Sequence, residues 1–122
     1  MKGQLLEKIS KIPLSFGGAS LSGEGGGYGF GSISNKEAFA LLKEANDLGV
    51  KVFDSAPIYG FGVSEKRMGE AFKDMREEVF LCSKSGVTWS NSRRVDMTND
   101  PQVTQKMLEQ TLRDFQSDYI DL

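Results

Sequence analysis

The residues best suited to chemistry in this sequence are an aspartate, a tyrosine and a lysine near two predicted strands. Asp54 ends the strand-like residues 50–54, and the two-residue strand period places its carboxylate on the same face as the preceding valines. Tyr59 follows in a segment with the proline and glycine typical of a loop. Lys84 ends a second apolar run, residues 79–84. The carboxyl ends of parallel strands meet at one sheet edge, so the three side chains should converge.

These three residue types form a plausible unit for delivering a proton. A free phenol has a pKa of about 10 and is a weak acid at neutral pH, whereas a neighbouring ammonium group lowers a phenol's pKa. A carboxylate in turn keeps a buried ammonium charged. We therefore expect Tyr59 to donate the proton, Lys84 to tune it and Asp54 to anchor the lysine. The alternative is a buried Asp54–Lys84 ion pair that only stabilises the sheet.

Helices predicted between the strands would position these residues. Ser34 with Glu37 is a capping box that begins the first helix. Ser64 is predicted to cap the second helix, with Glu65 in its first turn. Asp100-Pro101 is predicted to begin the third.

The chain resembles the aldo-keto reductase family from about Pro13 to its last residue. The motifs that carry the resemblance are Phe53-Asp54-Ser55-Ala56, Tyr59-Gly60, Ser64-Glu65, Met68-Gly69, Ser83-Lys84-Ser85-Gly86 and Ser117-Asp118-Tyr119-Ile120-Asp121-Leu122. The resemblance implies a (β/α)8 TIM barrel, of which residues 1–122 are one truncated α/β domain. We expect its N-terminal half, with about four parallel strands and three helices, because a whole barrel takes about 250 residues.

The resemblance also implies a function for the intact protein. It would be an NADPH-dependent oxidoreductase that interconverts aldehydes or ketones, including sugars, with alcohols. Asp54, Tyr59 and Lys84 match three of the family's four catalytic residues. The fourth is a histidine, expected a few residues beyond the final strand segment; the sequence has no histidine. We therefore expect the 122 residues alone to be inactive.

Cofactor contacts implied by the resemblance are Gly18, Ala19 and Asp54. The family often has threonine where Gly18 stands, so a contact there would be through the backbone, and a plain tight turn is the alternative. Two other functions stay open: a non-catalytic, nucleotide-binding regulatory subunit of the same family, and an inert polypeptide without a ligand. The substrate and the preference for NADPH over NADH are not fixed by the sequence.

Two polar or glycine-rich segments are predicted to form loops. The glycine-rich residues 23–31 lack both phosphate-binding registers, which favours a flexible loop, with Tyr28 and Phe30 as candidate substrate contacts. Residues 85–99 are predicted to form a long polar loop. Trp89 within it would either contact substrate or pack on the surface.

Composition indicates a globular protein without a charged interaction surface. Hydrophobic residues make up 39%, charged residues 26%, and the net charge is −2, which gives no footprint for nucleic acid or for a membrane. The absence of histidine excludes His-based metal sites, and we expect no metal. The single Cys82 suits a reducing, cytoplasmic location.

Self-association is a further expectation for a half barrel. Its sheet would have two free edges, at Pro13–Leu21 and Tyr119–Leu122. Its inward face is predicted to carry the apolar residues Leu14, Phe16, Val50, Val52, Phe80 and Cys82.

Overall fold

The computed structural model describes residues 12–23 and 28–122. Within them, three short strands form a parallel sheet in the order β1-β2-β3: β1 Ser15–Gly17, β2 Val52–Asp54 and β3 Phe80–Cys82. Three α-helices alternate with them: α1 Asn35–Asp47, α2 Val63–Phe72 and α3 Pro101–Asp114. Short 3-10 turns lie at Gly18–Leu21 and Arg76–Glu78. The predicted alternation of strands and helices is confirmed.

The strand register separates a helix-facing side of the sheet from the opposite side. Phe16, Phe53 and Leu81 are register partners, and they pack with the helices into the main core. The rings of Phe53 and Phe72 lie 4.5 Å apart. The prediction that Phe16 shares the face of Val52 is wrong, because its partner in β2 is Phe53.

The opposite side of the sheet is the one that would face a barrel interior. It carries Val52 and Asp54 with their register partners Phe80 and Cys82. Phe80 and Cys82 are buried, whereas Val52 is half-buried. Leu14, which was predicted on this side, precedes β1 and is 62% exposed.

Two of the three predicted helix starts are confirmed. Ser34 and Glu37 form both hydrogen bonds of the capping box at α1, and the Asp100 carboxylate caps α3 ahead of its proline. Ser64 does not cap α2. That helix begins at Val63 after Gly62, whose φ of 98° is favourable for glycine, and Ser64 lies buried inside the first turn.

Residues 85–99 form more regular structure than the predicted polar loop. Strands β4 Val87–Trp89 and β5 Val95–Met97 pair as an antiparallel hairpin. The Arg93 N–H donates to the Ser90 carbonyl and closes the turn at 2.8 Å. The polar composition concealed a two-residue alternation in each short strand.

The closing segment runs beside β3 without being assigned as a strand. The Ser83 N–H donates to the Leu122 carbonyl at 2.9 Å, and the Asp121 N–H donates to Leu81 at 3.2 Å. Arg76 pairs with the Asp121 carboxylate at 2.8 Å, with both side chains largely buried. These bonds place the segment where the fourth strand was predicted. No helix in the described ranges combines the length and the apolar character required to cross a bilayer.

Candidate active site

The structure brings three side chains together at the carboxyl ends of the parallel strands: those of Asp54, Tyr59 and Lys84. Asp54 is the last residue of β2, and Lys84 lies just beyond the neighbouring end of β3. The Lys84 ammonium donates to both Asp54 oxygens, at 2.8 and 2.9 Å, and to the Ser55 carbonyl at 2.8 Å. Its nitrogen lies 5.2 Å from the centre of the Tyr59 ring. The structure thus brings together all three side chains that were predicted to converge.

The Asp54–Lys84 pair is partly open to solvent. The Lys84 and Asp54 side chains are 48% and 42% exposed. Burial opposes the charge on Lys84, but the hydrogen bond and negative charge of Asp54 outweigh it, with a further contribution from Tyr59, so the pKa of Lys84 is raised. Exposed ion pairs contribute only about 0–1 kcal/mol to stability. A role confined to stabilising the sheet is therefore a weak explanation for this pair.

A cavity of about 230 Å³ opens beside these groups. Tyr59 and Lys84 line it together with Tyr28, Ile58 and Val87. The rings of Tyr28 and Tyr59 lie 6.5 Å apart, edge to face. Tyr28 is therefore part of the wall of this cavity, and its contact with substrate stays a prediction. Phe30 is 82% exposed and does not line it.

The loop that carries Tyr59 is held by close packing. Gly60 has φ +65°, and a Cβ at this position would lie 2.4 Å from the Ser22 carbonyl oxygen. The Tyr59 N–H donates to the Ala56 carbonyl at 3.1 Å, and the Tyr59 carbonyl accepts from Ser64 at 3.2 Å. A larger residue after the tyrosine would push the loop away from Ser22 and displace the phenol.

Gly18 is required by packing within the protein. A Cβ there would lie 2.6 Å from the Ser64 hydroxyl and 2.7 Å from the Asp54 carbonyl oxygen. The Gly18 carbonyl accepts from that hydroxyl, which itself accepts from Ser55. The missing side chain thus accommodates β2 and α2, and the predicted backbone contact with a cofactor at Gly18 stays a prediction. Ala19 beside it is half-buried.

Trp89 and Arg93 pack around one aromatic ring. Trp89 lies edge to face with Phe61, with ring centres 5.4 Å apart, and the Arg93 guanidinium lies 4.8 Å from the Phe61 centroid. Trp89 does not line the cavity beside Tyr59. This favours packing over substrate contact. Residues 24–27, in the glycine-rich segment interpreted as a flexible loop, lie outside the described residues.

Glu65 is the residue near the site that sequence reasoning missed. Its side chain is 1% exposed, and its carboxylate accepts hydrogen bonds from Ser83 and Thr111. The sequence alone predicts only that Glu65 lies in the first turn of a helix, where the helix dipole favours an acid. The available signal was its spacing from Met68 and Phe72, which puts all three on one face of α2.

Comparisons with known proteins agree on one family. A family model described as "Aldo/keto reductase family" matches residues 13–122. The aldo-keto reductase YhdN of Bacillus subtilis is 34% identical over 99 residues, which are 80% of this chain and 30% of that protein. The aldo-keto reductase yakc [NADP(+)] of Schizosaccharomyces pombe is 34% identical over 96 residues, 76% of this chain and 28% of that protein.

A shorter match and a solved structure extend this comparison. D-threo-aldose 1-dehydrogenase of a Pseudomonas species is 41% identical over 58 residues, 47% of this chain and 18% of that enzyme. The holo form of aldo-keto reductase AKR11C1 from Bacillus halodurans superposes with a TM-score of 0.76 at 25% identity, covering 88% of this chain and 33% of that one. The chain thus spans less than a third of the length of the curated relatives it matches.

Proposed function

Because this chain belongs to the aldo/keto reductase family, we propose that it supplies the proton-delivery part of an NADPH-dependent oxidoreductase that interconverts aldehydes or ketones with alcohols. One observation carries the proposal: the Lys84 ammonium donates hydrogen bonds to both oxygens of Asp54. It also lies close to the Tyr59 ring, and Lys84 and Tyr59 line the same cavity. The matches cover 30% and 28% of the first two relatives, and the proposal is for a complete barrel with a further catalytic group. Residues 1–122 alone are therefore expected to be inactive.

Each residue has a distinct part in moving the proton. The Tyr59 phenol donates its proton to the carbonyl oxygen during reduction and recovers it during alcohol oxidation. Lys84 stabilises the phenolate that remains, because its charge lies beside the ring. Asp54 keeps Lys84 protonated and orients its ammonium group. When bound, NADPH supplies the hydride.

The described residues fit the nicotinamide end of such a cofactor. The cavity of about 230 Å³ is small, and Lys84 is the only basic residue among those that line it. Because Asp54 already holds Lys84, the described residues that line this cavity do not provide a phosphate site. The proposed cofactor contacts, Asp54, Ala19 and the backbone at Gly18, are not among the residues that line this cavity. The name of the Schizosaccharomyces relative specifies NADP(+), which supports NADPH over NADH.

Sugars are the substrate class we propose. The support is the match to D-threo-aldose 1-dehydrogenase, which is confined to 58 residues.

The test is a fusion in which residues 1–122 replace the matching N-terminal part of the Bacillus subtilis relative. We expect it to consume NADPH with aldoses and simple aldehydes. Tyr59→Phe should lower kcat by about 10²–10⁴-fold, the usual contribution of a general acid. Tyr119→Phe, which changes a tyrosine outside the cavity, is the matched control. Full activity of the Tyr59→Phe fusion would overturn the assignment of the proton donor, and turnover by residues 1–122 alone would refute their predicted inactivity.

A further inference from the structure

We propose that Glu65 is a positioning residue for Lys84, acting through the hydroxyl of Ser83. The inference rests on the proposed function, since it concerns how the tuning lysine is held. Glu65 itself touches neither the cavity nor the Asp54–Lys84 contact.

The carboxylate of Glu65 joins three elements of the fold. It lies in the first turn of α2 and accepts a hydrogen bond from the Ser83 hydroxyl, directly after β3. On its other side the Thr111 hydroxyl of α3 lies 3.1 and 3.2 Å from its two oxygens. Glu65 is 1% exposed and Thr111 is 2% exposed, so water does not compete for the bond between these two residues.

Ser83 transmits this constraint to the site. Its N–H donates to the Leu122 carbonyl at 2.9 Å, and the preceding carbonyl, of Cys82, accepts from Ser55 at 2.9 Å. With its hydroxyl bound to Glu65 as well, Ser83 is fixed by both its backbone and its side chain. The next residue is Lys84, whose contacts with Asp54 and Ser55 depend on where its backbone begins.

A buried carboxylate is an energetically unfavourable choice of hydrogen-bond acceptor for fixing Ser83. Burial raises the pKa of Glu65, and the hydrogen bonds from Ser83 and Thr111 offset this only in part. The charged groups that act on it are Asp114, which raises the pKa further, and Lys84, which lowers it. A neutral amide would avoid the desolvation of a charge. However, its NH2 group would stand where the second carboxylate oxygen accepts from Thr111, beside the oxygen that accepts from both hydroxyls.

The test measures Lys84 itself by NMR on chain 1–122 carrying ¹³Cε-labelled lysine. The Lys84 signal is assigned by its loss in Lys84→Met. Asp54→Asn sets the scale, and we expect it to move the Lys84 titration to lower pH. Ser83→Ala, which changes no charge, should move it in the same direction by roughly a third of that shift or more, because the ammonium is then held less closely to Asp54. Glu65→Gln should also move it to lower pH, but this variant removes a negative charge that acts on Lys84, so Ser83→Ala decides the positioning role. Thr111→Val is the matched control, because it removes a hydroxyl bonded to Glu65 but leaves the Ser83 link intact.

The outcomes separate this inference from the proposed function. If Asp54→Asn leaves the Lys84 titration unchanged, the tuning pair of the proposed function is wrong. If Asp54→Asn shifts it but Ser83→Ala does not, only the positioning role is wrong. An equal shift in Thr111→Val would also overturn that role, since general loosening of the core would then explain the result. Should Glu65→Gln fail to fold, Ser83→Ala decides the question, because it removes only one partly exposed hydroxyl.

Discussion

At the residue scale, the Glu65 carboxyl makes stability depend on pH. Its pKa is raised above the ordinary value of 4.5, so the folded state binds this proton more tightly than the unfolded state does. The stability that comes from the protonated form is fully present below the ordinary value and is lost as pH rises through the raised one. Asp114 and Lys84 act on the same carboxyl with opposite signs.

We therefore expect Glu65→Gln to lose this component of the pH dependence. The original chain loses this stabilisation as pH rises, and the variant does not. The free energy of unfolding of the variant minus that of the original chain should therefore increase as pH rises from about 4 to about 7. Urea unfolding at several pH values measures this difference. Glu44→Gln, at an exposed site on α1, is the matched control. A constant difference for Glu65→Gln across that range would contradict the pH dependence assigned to this carboxyl.

At the scale of single elements, the cap of α1 should contribute measurably to stability. The Ser34 hydroxyl accepts from the Glu37 N–H, and the Glu37 carboxylate accepts from the Ser34 N–H at 2.8 Å. Ser34→Ala removes one side of this box and should cost about 0.5–2 kcal/mol in the free energy of unfolding. Ser32→Ala, also exposed and just outside the helix, should change the urea midpoint little. Equal midpoints for the two variants would refute the cap's contribution.

The hairpin of β4 and β5 offers a second test at this scale. Trp89 is the only tryptophan in the sequence, and Phe61 covers one edge of it. Phe61→Leu should therefore shift the tryptophan emission to longer wavelength and destabilise the hairpin by about 0.5–1.5 kcal/mol. Phe30→Leu, which replaces a phenylalanine that is 82% exposed, serves as the control. Unchanged emission in Phe61→Leu would show that this contact does not anchor the hairpin.

Individual residues in these elements show which parts of the fold and of the candidate site could be predicted from the sequence. The contact between Asp54 and Lys84 was predictable. The two-residue strand period fixes the face of each side chain, and parallel pairing places both at the carboxyl ends of their strands. The contacts of Glu65 were not predictable, because helical spacing identifies its buried face but not the hydroxyls of Ser83 and Thr111 that meet it from distant parts of the chain. Ser64 was misassigned for the same reason: a serine near a helix start usually caps it, and its actual partner, the Gly18 carbonyl, is distant in sequence.

At the scale of the whole molecule, the described sheet has β1 as one edge, and residues 119–122 lie beside β3 at the other. Unpaired edges recruit further strands, and each edge has an exposed leucine: Leu14 is 62% exposed and Leu122 is 78% exposed. We therefore expect the polypeptide of residues 1–122 to self-associate in solution.

Charge at the edges should oppose this association. Leu14→Lys and Leu122→Lys each place an ammonium group where a second sheet edge would approach, and the double variant should shift light scattering towards the monomer. Leu48→Lys is the control, because Leu48 is 69% exposed and follows α1, outside the strands of the sheet. If exposed leucines in general drove association, Leu48→Lys would reduce it as much as the edge variants do. A monodisperse monomer of the unsubstituted chain would refute the expectation altogether, and would mean that the two edges are protected in solution.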